Sequence, residues 1–266
     1  MTDRAKEFDA QGAAQYLLDG HKSREPFKPF ADEFGIENLE QAYRVQDLFV
    51  GGLGPDGSRA GYKVGLTSKA MQAMVNLDQP IGGVVFSDGV LKSPADLSCG
   101  DYGRLGLEFE IAVRLAKDIG ADNLPLDIET VGSCVAEVGP AFEIIDDREA
   151  DYSTLDVFSI LADNSWNAGA ILGEMKPFEG GDLASVTGTL SVNGEMVGQG
   201  TGADVLGHPF EPLVWLAEHL TSRGGRLRAG DIVFTGSLLP SRFPETGDFY
   251  EFTISGLGGV TAKIIA

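Results

Sequence analysis

The chain has 266 residues, 43% of them apolar and 23% charged, which fits a globular protein able to bury a substantial core. Its 40 Asp and Glu outnumber 20 Lys and Arg, and the formal net charge of -20 disfavours nucleic acid and membrane surfaces as partners. Cys99 and Cys134 are too few for a disulfide framework or a thiolate zinc site. A reducing, cytoplasmic setting is therefore expected, and MTDRAKEFDA at the N-terminus lacks the apolar core of a signal peptide.

Residues 5–20 predict a first helix closed by Gly20, and HKSREPFKPF predicts a loop. ENLEQAYRVQDLFVGGL places Leu39, Ala42, Tyr43, Val45, Gln46 and Phe49 on one helical stripe. GLGPDG at 52–57 matches a dinucleotide-binding fingerprint, but it follows a helix and leads into a strand, so it reads as a turn. AGYKVGL and GGVVF then predict short strands separated by the helical SKAMQAMV. RLGLEFEIAVRLA is the longest strand candidate. A helix over 127–137, a strand at AFEIID, a helix at TLDVFSILA and a strand at NAGAILGE follow. Asn193-Gly194 between alternating residues predicts a hairpin, HPFEPLVWLAEHLTSRGG a helix, and DIVFTGS, DFYEFTIS and GVTAKII the closing strands. The fold class expected is α+β: a helical N-terminal segment, 1–58, on a mixed β-rich core, 59–266.

Leu107, Phe109, Ile111, Val113 and Leu115 alternate strictly, so Glu108 and Glu110 share the opposite strand face. Their Cα atoms are then about 6.5–7 Å apart, close enough for both carboxylates to meet one ion. A solvated face is the ordinary alternative. Glu143 is likewise a charge set among apolar residues, and such a group is costly unless it is paired, for instance with Arg148 or Arg104, or bound to metal. Three oxygen ligands favour Mg²⁺ or Mn²⁺ over zinc. Lys63, between Tyr62 and Val64, is a candidate acid, base or anion binder. His208 at a helix start and His219 on the same helix have ordinary capping and surface explanations.

The blocks AGYKVGLTSKAMQAMVNLDQP, LEFEIAVRLAKDI, PAFEIIDDR, ILADNSWNAGAILG, GTGADVLGHPFEPLVWLAEHL and GDIVFTGS, taken in order, resemble the 2-oxopent-4-enoate hydratase and 4-oxalocrotonate decarboxylase family of the fumarylacetoacetate hydrolase superfamily. The resemblance implies the superfamily's mixed β-sheet core, a roll or sandwich, and homo-oligomers that can assemble with a related decarboxylase or hydratase. It implies Mg²⁺ or Mn²⁺ on Glu108, Glu110 and Glu143, with Lys63 at the substrate and Ser165 and Ser237 lining the site. The activity implied is hydration of a 2-hydroxy-2,4-dienoate, a small 2-oxo acid in its dienol form, within meta-cleavage aromatic degradation. Decarboxylation of 2-oxo-3-hexenedioate, hydrolysis of an acylpyruvate with His21 as the candidate water activator, and a non-catalytic partner subunit are the alternatives. Two departures stand out: Phe109 replaces the proline common between the paired glutamates, and Ile81 follows Gln79-Pro80 where an acid is usual. A second substrate carboxylate would need a cation, and Arg148, Lys69 and Arg242 are the candidates.

Overall fold

A computed structural model describes residues 6–54 and 59–266. Helix α1 (Ala10–Ser23) starts at Asp9, whose carboxylate accepts from the Gly12 N–H. Gly20 does not end it. The left-handed cap is Arg24, and Gly20 sits inside the helix, where a Cβ would come within 3.2 Å of Arg148 Nη1. Helix α2 (Leu39–Leu53), capped by Asn38, buries Ala42, Tyr43, Val45, Gln46 and Phe49. That is the stripe expected, with Leu39 at its margin. The turn read at 52–57 falls at its last residues outside the described chain.

Strand β1 (Arg59–Gly65), helix α3 (Lys69–Met74) and strand β2 (Ile81–Phe86) follow, then the short strands β3 (Val90–Lys92) and β4 (Ala95–Ser98). Strand β5 (Leu105–Leu115) is followed by α4 (Ile128–Gly132) and β6 (Val135–Asp146). The helix expected over 127–137 is thus one turn, because Val135, Val138, Ala141 and Phe142 are taken into the central sheet beside β5. Helix α5 (Val157–Ala162), β7 (Asn167–Leu172), β8 (Lys176–Pro177), β9 (Thr187–Val192) and β10 (Glu195–Thr201) come next. Helix α6 (Phe210–Ser222), β11 (Ile232–Ser237), β12 (Phe249–Ile254) and β13 (Gly258–Ile265) complete the order.

The strands form two sheets. One runs β2-β1-β11-β5-β6-β7-β3 with β8 beside β6, and the other runs β10-β9-β12-β13-β4. The alternating set from Leu107 to Leu115 faces the second sheet, with Phe109 packed on Phe142 and Phe252 at ring separations of 5.8 Å. Phe109 is fully buried in this aromatic cluster, so its side chain belongs to the core between the sheets rather than to the glutamate face. Helices α1 and α2 form a second cluster with Ile81, Ile145, Leu161 and Trp166, lying over the end of the first sheet. Among the described residues, no helix is long and apolar enough to cross a membrane.

The β9–β10 hairpin turns at Asn193 and Gly194, with φ of 54° and 83°, the pair of left-handed residues a type I′ turn requires. Gly194→Ala should destabilise the protein by about 1 kcal/mol, read as a lowered denaturation midpoint at unchanged slope.

Candidate metal centre

Strand register builds the centre. In the antiparallel β5–β6 pair Glu108 stands directly opposite Glu143, and Glu110 follows two residues along on the same face. Like charges directly opposite one another are destabilising unless something binds them. Each of the three offers a carboxylate oxygen within 4.8 Å of the others. Glu110 and Glu143 are 0% exposed and Glu108 is half-buried, so the face is not a solvated one.

Lys63 reaches the triad through the sheet. It pairs with Phe234 of β11, and Phe234 with Ala112 of β5, which places Lys63 on the face that carries the glutamates. Its Nζ lies 3.1 Å from Glu143 Oε1, and the side chain is buried. Glu143 is therefore paired with Lys63 and not with an arginine: Arg148 goes to Asp163 and Arg104 to Asp147, both at 2.5 Å. Burial works to lower the Lys63 pKa, but Glu143 and Glu108 outweigh it and hold the ammonium above its ordinary value. Desolvation, then the charges of Glu143 and Glu108, push Glu110 well above the usual carboxylate range. Desolvation also raises Glu143, with Lys63 opposing.

The donor set fits a hard divalent cation. Three carboxylates against one ammonium leave the site short of positive charge, and Glu110 Oε1 and Glu143 Oε2 are buried without a hydrogen-bond partner. The other oxygens are held from behind. Gly236 N–H donates to Glu110 Oε2 at 2.7 Å, Asn167 Nδ2 to Glu143 Oε1 at 3.0 Å, and Ser241 Oγ to Glu108 Oε1 at 2.7 Å. The Gly236 contact depends on an irregularity in the β11–β5 register, where Gly236 takes φ of 111° and a Cβ would collide with Thr67. Sequence reading missed Asn167, Ser241 and the Gly236 N–H. Only the glycine in T-G-S was a local signal, because the other two contacts span 24 and 133 residues. Ser241→Ala should weaken Mg²⁺ affinity about tenfold, measured by calorimetric titration, since it releases one glutamate from its orienting bond.

Ser165 lies in a run of three left-handed residues, Asn164, Ser165 and Trp166, with φ of 50°, 51° and 60°. Its Oγ is buried without a partner. Non-glycine residues in this region cost free energy, and such runs persist where the surroundings over-determine them. Here Asn164 exchanges two hydrogen bonds with the Val84 backbone of β2, and Asp163 takes His21 at 2.5 Å and Arg148 at 2.5 Å. Ser237 pairs with Glu110 in the sheet, but its hydroxyl accepts from the Phe109 N–H and donates to the Leu239 carbonyl.

Ile81 is 2% exposed. A Cβ on Gly65 would lie 3.5 Å from Ile81 Cγ1 and 3.6 Å from Lys63 Nζ, so an aliphatic side chain shares the lysine's face of the sheet where an acid was expected. Of the cations offered for a second carboxylate, Arg148 is buried on Asp163, Lys69 donates to Gln72 and Arg242 to the Val197 carbonyl. His208 Nδ1 accepts from the Phe210 N–H and caps α6, as its position implied. His219 is half-buried. It sits between Tyr43 and Trp215, and burial, with the Arg223 charge, pushes it down to about 4.

The family pattern described as fumarylacetoacetate (FAA) hydrolase C-terminal matches residues 62–265. The chain is 34% identical over 254 residues to a 2-keto-4-pentenoate hydratase of Paraburkholderia xenovorans (strain LB400), covering 94% of this chain and 93% of that protein. It is 31% identical over 248 residues to a 2-hydroxyhexa-2,4-dienoate hydratase of Comamonas testosteroni, covering 92% and 93%. Among solved structures, 4-oxalocrotonate decarboxylase from Pseudomonas putida G7, complexed with magnesium and adipate, superposes with a TM-score of 0.90 at 27% identity, covering 96% and 97% of the two chains.

Proposed function

Because the chain belongs to the fumarylacetoacetate hydrolase family, we propose that it is a divalent-metal-dependent hydratase, adding water to a 2-hydroxy-2,4-dienoate to give a 4-hydroxy-2-oxo acid. The observation that carries this reading is the juxtaposition of the Glu108, Glu110 and Glu143 carboxylates with the buried Lys63 ammonium on one face of one sheet. A bound Mg²⁺ or Mn²⁺ supplies Lewis-acid polarisation of the oxygens of a 2-oxo acid head. The protein's own groups do the rest. Lys63 is the titratable cation at the triad, placed to attract the substrate carboxylate and to carry protons. The dienol must lose its C2 hydroxyl proton and gain one at its distal carbon to become a 2-oxo-3-enoate, and water adding at C4 must lose one proton as C3 gains one.

The unpartnered Ser165 hydroxyl is assigned to a substrate oxygen. Ser237, whose hydroxyl is bound between two backbone groups, is assigned to the wall of the site. Ile81 cannot exchange a proton, so any proton handling expected of an acid at that position must be supplied by another group. His21 is tied to Asp163 and packed against Phe49, which weighs against hydrolysis of an acylpyruvate.

The direct test is turnover of 2-hydroxypenta-2,4-dienoate, followed by loss of its dienol absorbance. Activity should fall on chelation with EDTA and return with Mg²⁺ or Mn²⁺. Undiminished turnover after thorough chelation overturns the reading. Decarboxylation of 2-oxo-3-hexenedioate is the second reading, favoured by the structural likeness to the Pseudomonas putida decarboxylase and by Ile81 in place of an acid. Buried, Asp163-paired Arg148 weighs against it, since that arginine is not free to take a second carboxylate. Release of CO₂ from the dioate, without hydration of the dienoate, would select it. A homo-oligomer in the cytoplasm, with or without a related decarboxylase or hydratase, belongs to the same reading and is checked by light scattering on the purified protein.

A further inference from the structure

Helices α2 and α6 leave a cavity of about 330 Å³ against the β1–β2 pair. It is separate from the metal centre. None of Lys63, Glu108, Glu110 and Glu143 lines it, and Tyr62, which does, is the neighbour of Lys63 on β1 and so points to the opposite face of the sheet. Among the described residues that line it, the charged ones are Arg59, Arg223 and one acid, Asp47.

The two arginines differ. Arg223 is engaged, 2.6 Å from Asp47 and lying over the Tyr43 ring at 4.7 Å. Arg59 lies over the Tyr62 ring at 4.8 Å, its carboxylate partner Asp231 is 3.7 Å away, and its Nε is buried with no hydrogen-bond partner. The rest of the Arg59 side chain is part-exposed, at 21%, and a planar carboxylate is the complement of a guanidinium fork. Flat rings supply part of the wall: Tyr43 and His219 are 4.3 Å apart, and His219 is backed by Trp215, stacked on it at 5.1 Å. His219 stays neutral near pH 7, so it adds a ring rather than a third cation. The volume lies at the small end of the ligand-pocket range, about 300–1,000 Å³, which suits a single-ring molecule. Asp47 and the apolar Val50, Leu216 and Leu220 disfavour a second charge or a bare inorganic anion.

We propose that this cavity is a second binding site, taking a small aromatic monocarboxylate with its carboxylate on Arg59 and its ring among Tyr43, Tyr62 and His219. The protein contains two tryptophans, Trp215 stacked on His219 and Trp166 beside Ser165, so Trp166→Phe leaves Trp215 as the sole indole reporter. Sodium benzoate titrated into that variant at constant ionic strength should give a saturable change in Trp215 emission. Arg59→Met should raise the midpoint about tenfold or more, and Tyr62→Phe, a milder change that keeps the ring, a few-fold. Magnesium oxalate, directed at the metal centre, should leave the midpoint unchanged, and inorganic phosphate should not reproduce the signal. A non-saturable response, a midpoint indifferent to both substitutions, competition by oxalate, or an equal response to phosphate overturns the proposal. The readout needs no turnover, so its failure is distinct from failure of the hydratase assay.

Discussion

Lys63→Met should lower kcat about a thousandfold while leaving Mg²⁺ bound. The size follows from the role: a positioned acid–base group contributes about 10²–10⁴-fold, and Lys63 is the cation in contact with the triad. Methionine keeps the length and apolar stem of the side chain, so the 3% exposed position stays filled. Removing the ammonium leaves three carboxylates without their cation, and this should hold or increase affinity for a divalent ion. The pairing of results is the test. A collapse in kcat with the Mg²⁺-induced rise in melting temperature retained supports a role in chemistry. Unchanged kcat removes Lys63 from the mechanism, and a lost Mg²⁺ response makes it a structural prop of the metal site.

Glu110→Gln should abolish the metal response itself, with Mg²⁺ affinity falling by more than about a hundredfold and turnover falling with it. Groups that only orient a ligand are worth about 10–100-fold, and a buried ligand carboxylate stands above that range. The pH dependence carries a sign. Burial, together with Glu143 and Glu108, holds folded Glu110 well above its unfolded value of 4.5, so between those two values the folded chain keeps a proton that the unfolded chain has released. The metal-free protein should therefore lose stability as pH rises through that window. The stabilisation conferred by Mg²⁺ should grow over the same interval, because the ion replaces the proton. Lys63 is also raised on folding, so its contribution is full below 10.5 and lost only above that, outside the window. Melting temperature against pH, with and without Mg²⁺, separates the two forms. In Glu110→Gln the metal-free slope should become shallower, with the raised Glu143 left to contribute, and the two curves should coincide.

Much of this architecture is carried by local pattern. The alternation from Leu107 to Leu115 specifies a strand with one core face, and the stripe from Ala42 to Phe49 specifies how α2 lies on the sheet. Asn193-Gly194 specifies its own turn. Glu108, Glu110 and Glu143 stood out because a charge among apolar neighbours is expensive wherever those neighbours pack. Periods of 2 and 3.6 residues are short-range properties, legible without knowing what lies alongside.

Partnership is not legible in this way. That Glu108 faces Glu143 follows from the β5–β6 register, and that Lys63 rather than Arg148 or Arg104 meets Glu143 follows from β11 lying between β1 and β5. Val135–Asp146 became one long strand, where its first residues read as helix, because β5 offered an edge along its whole length. Asn167, Ser241 and the Gly236 N–H became supports of the triad through contacts distant in sequence. The inventory of a metal centre was therefore written in the sequence as misplaced charge. Its geometry was decided by the tertiary structure, because strand neighbours and register are set by burying two sheets and a helical cover at once, which no segment specifies alone.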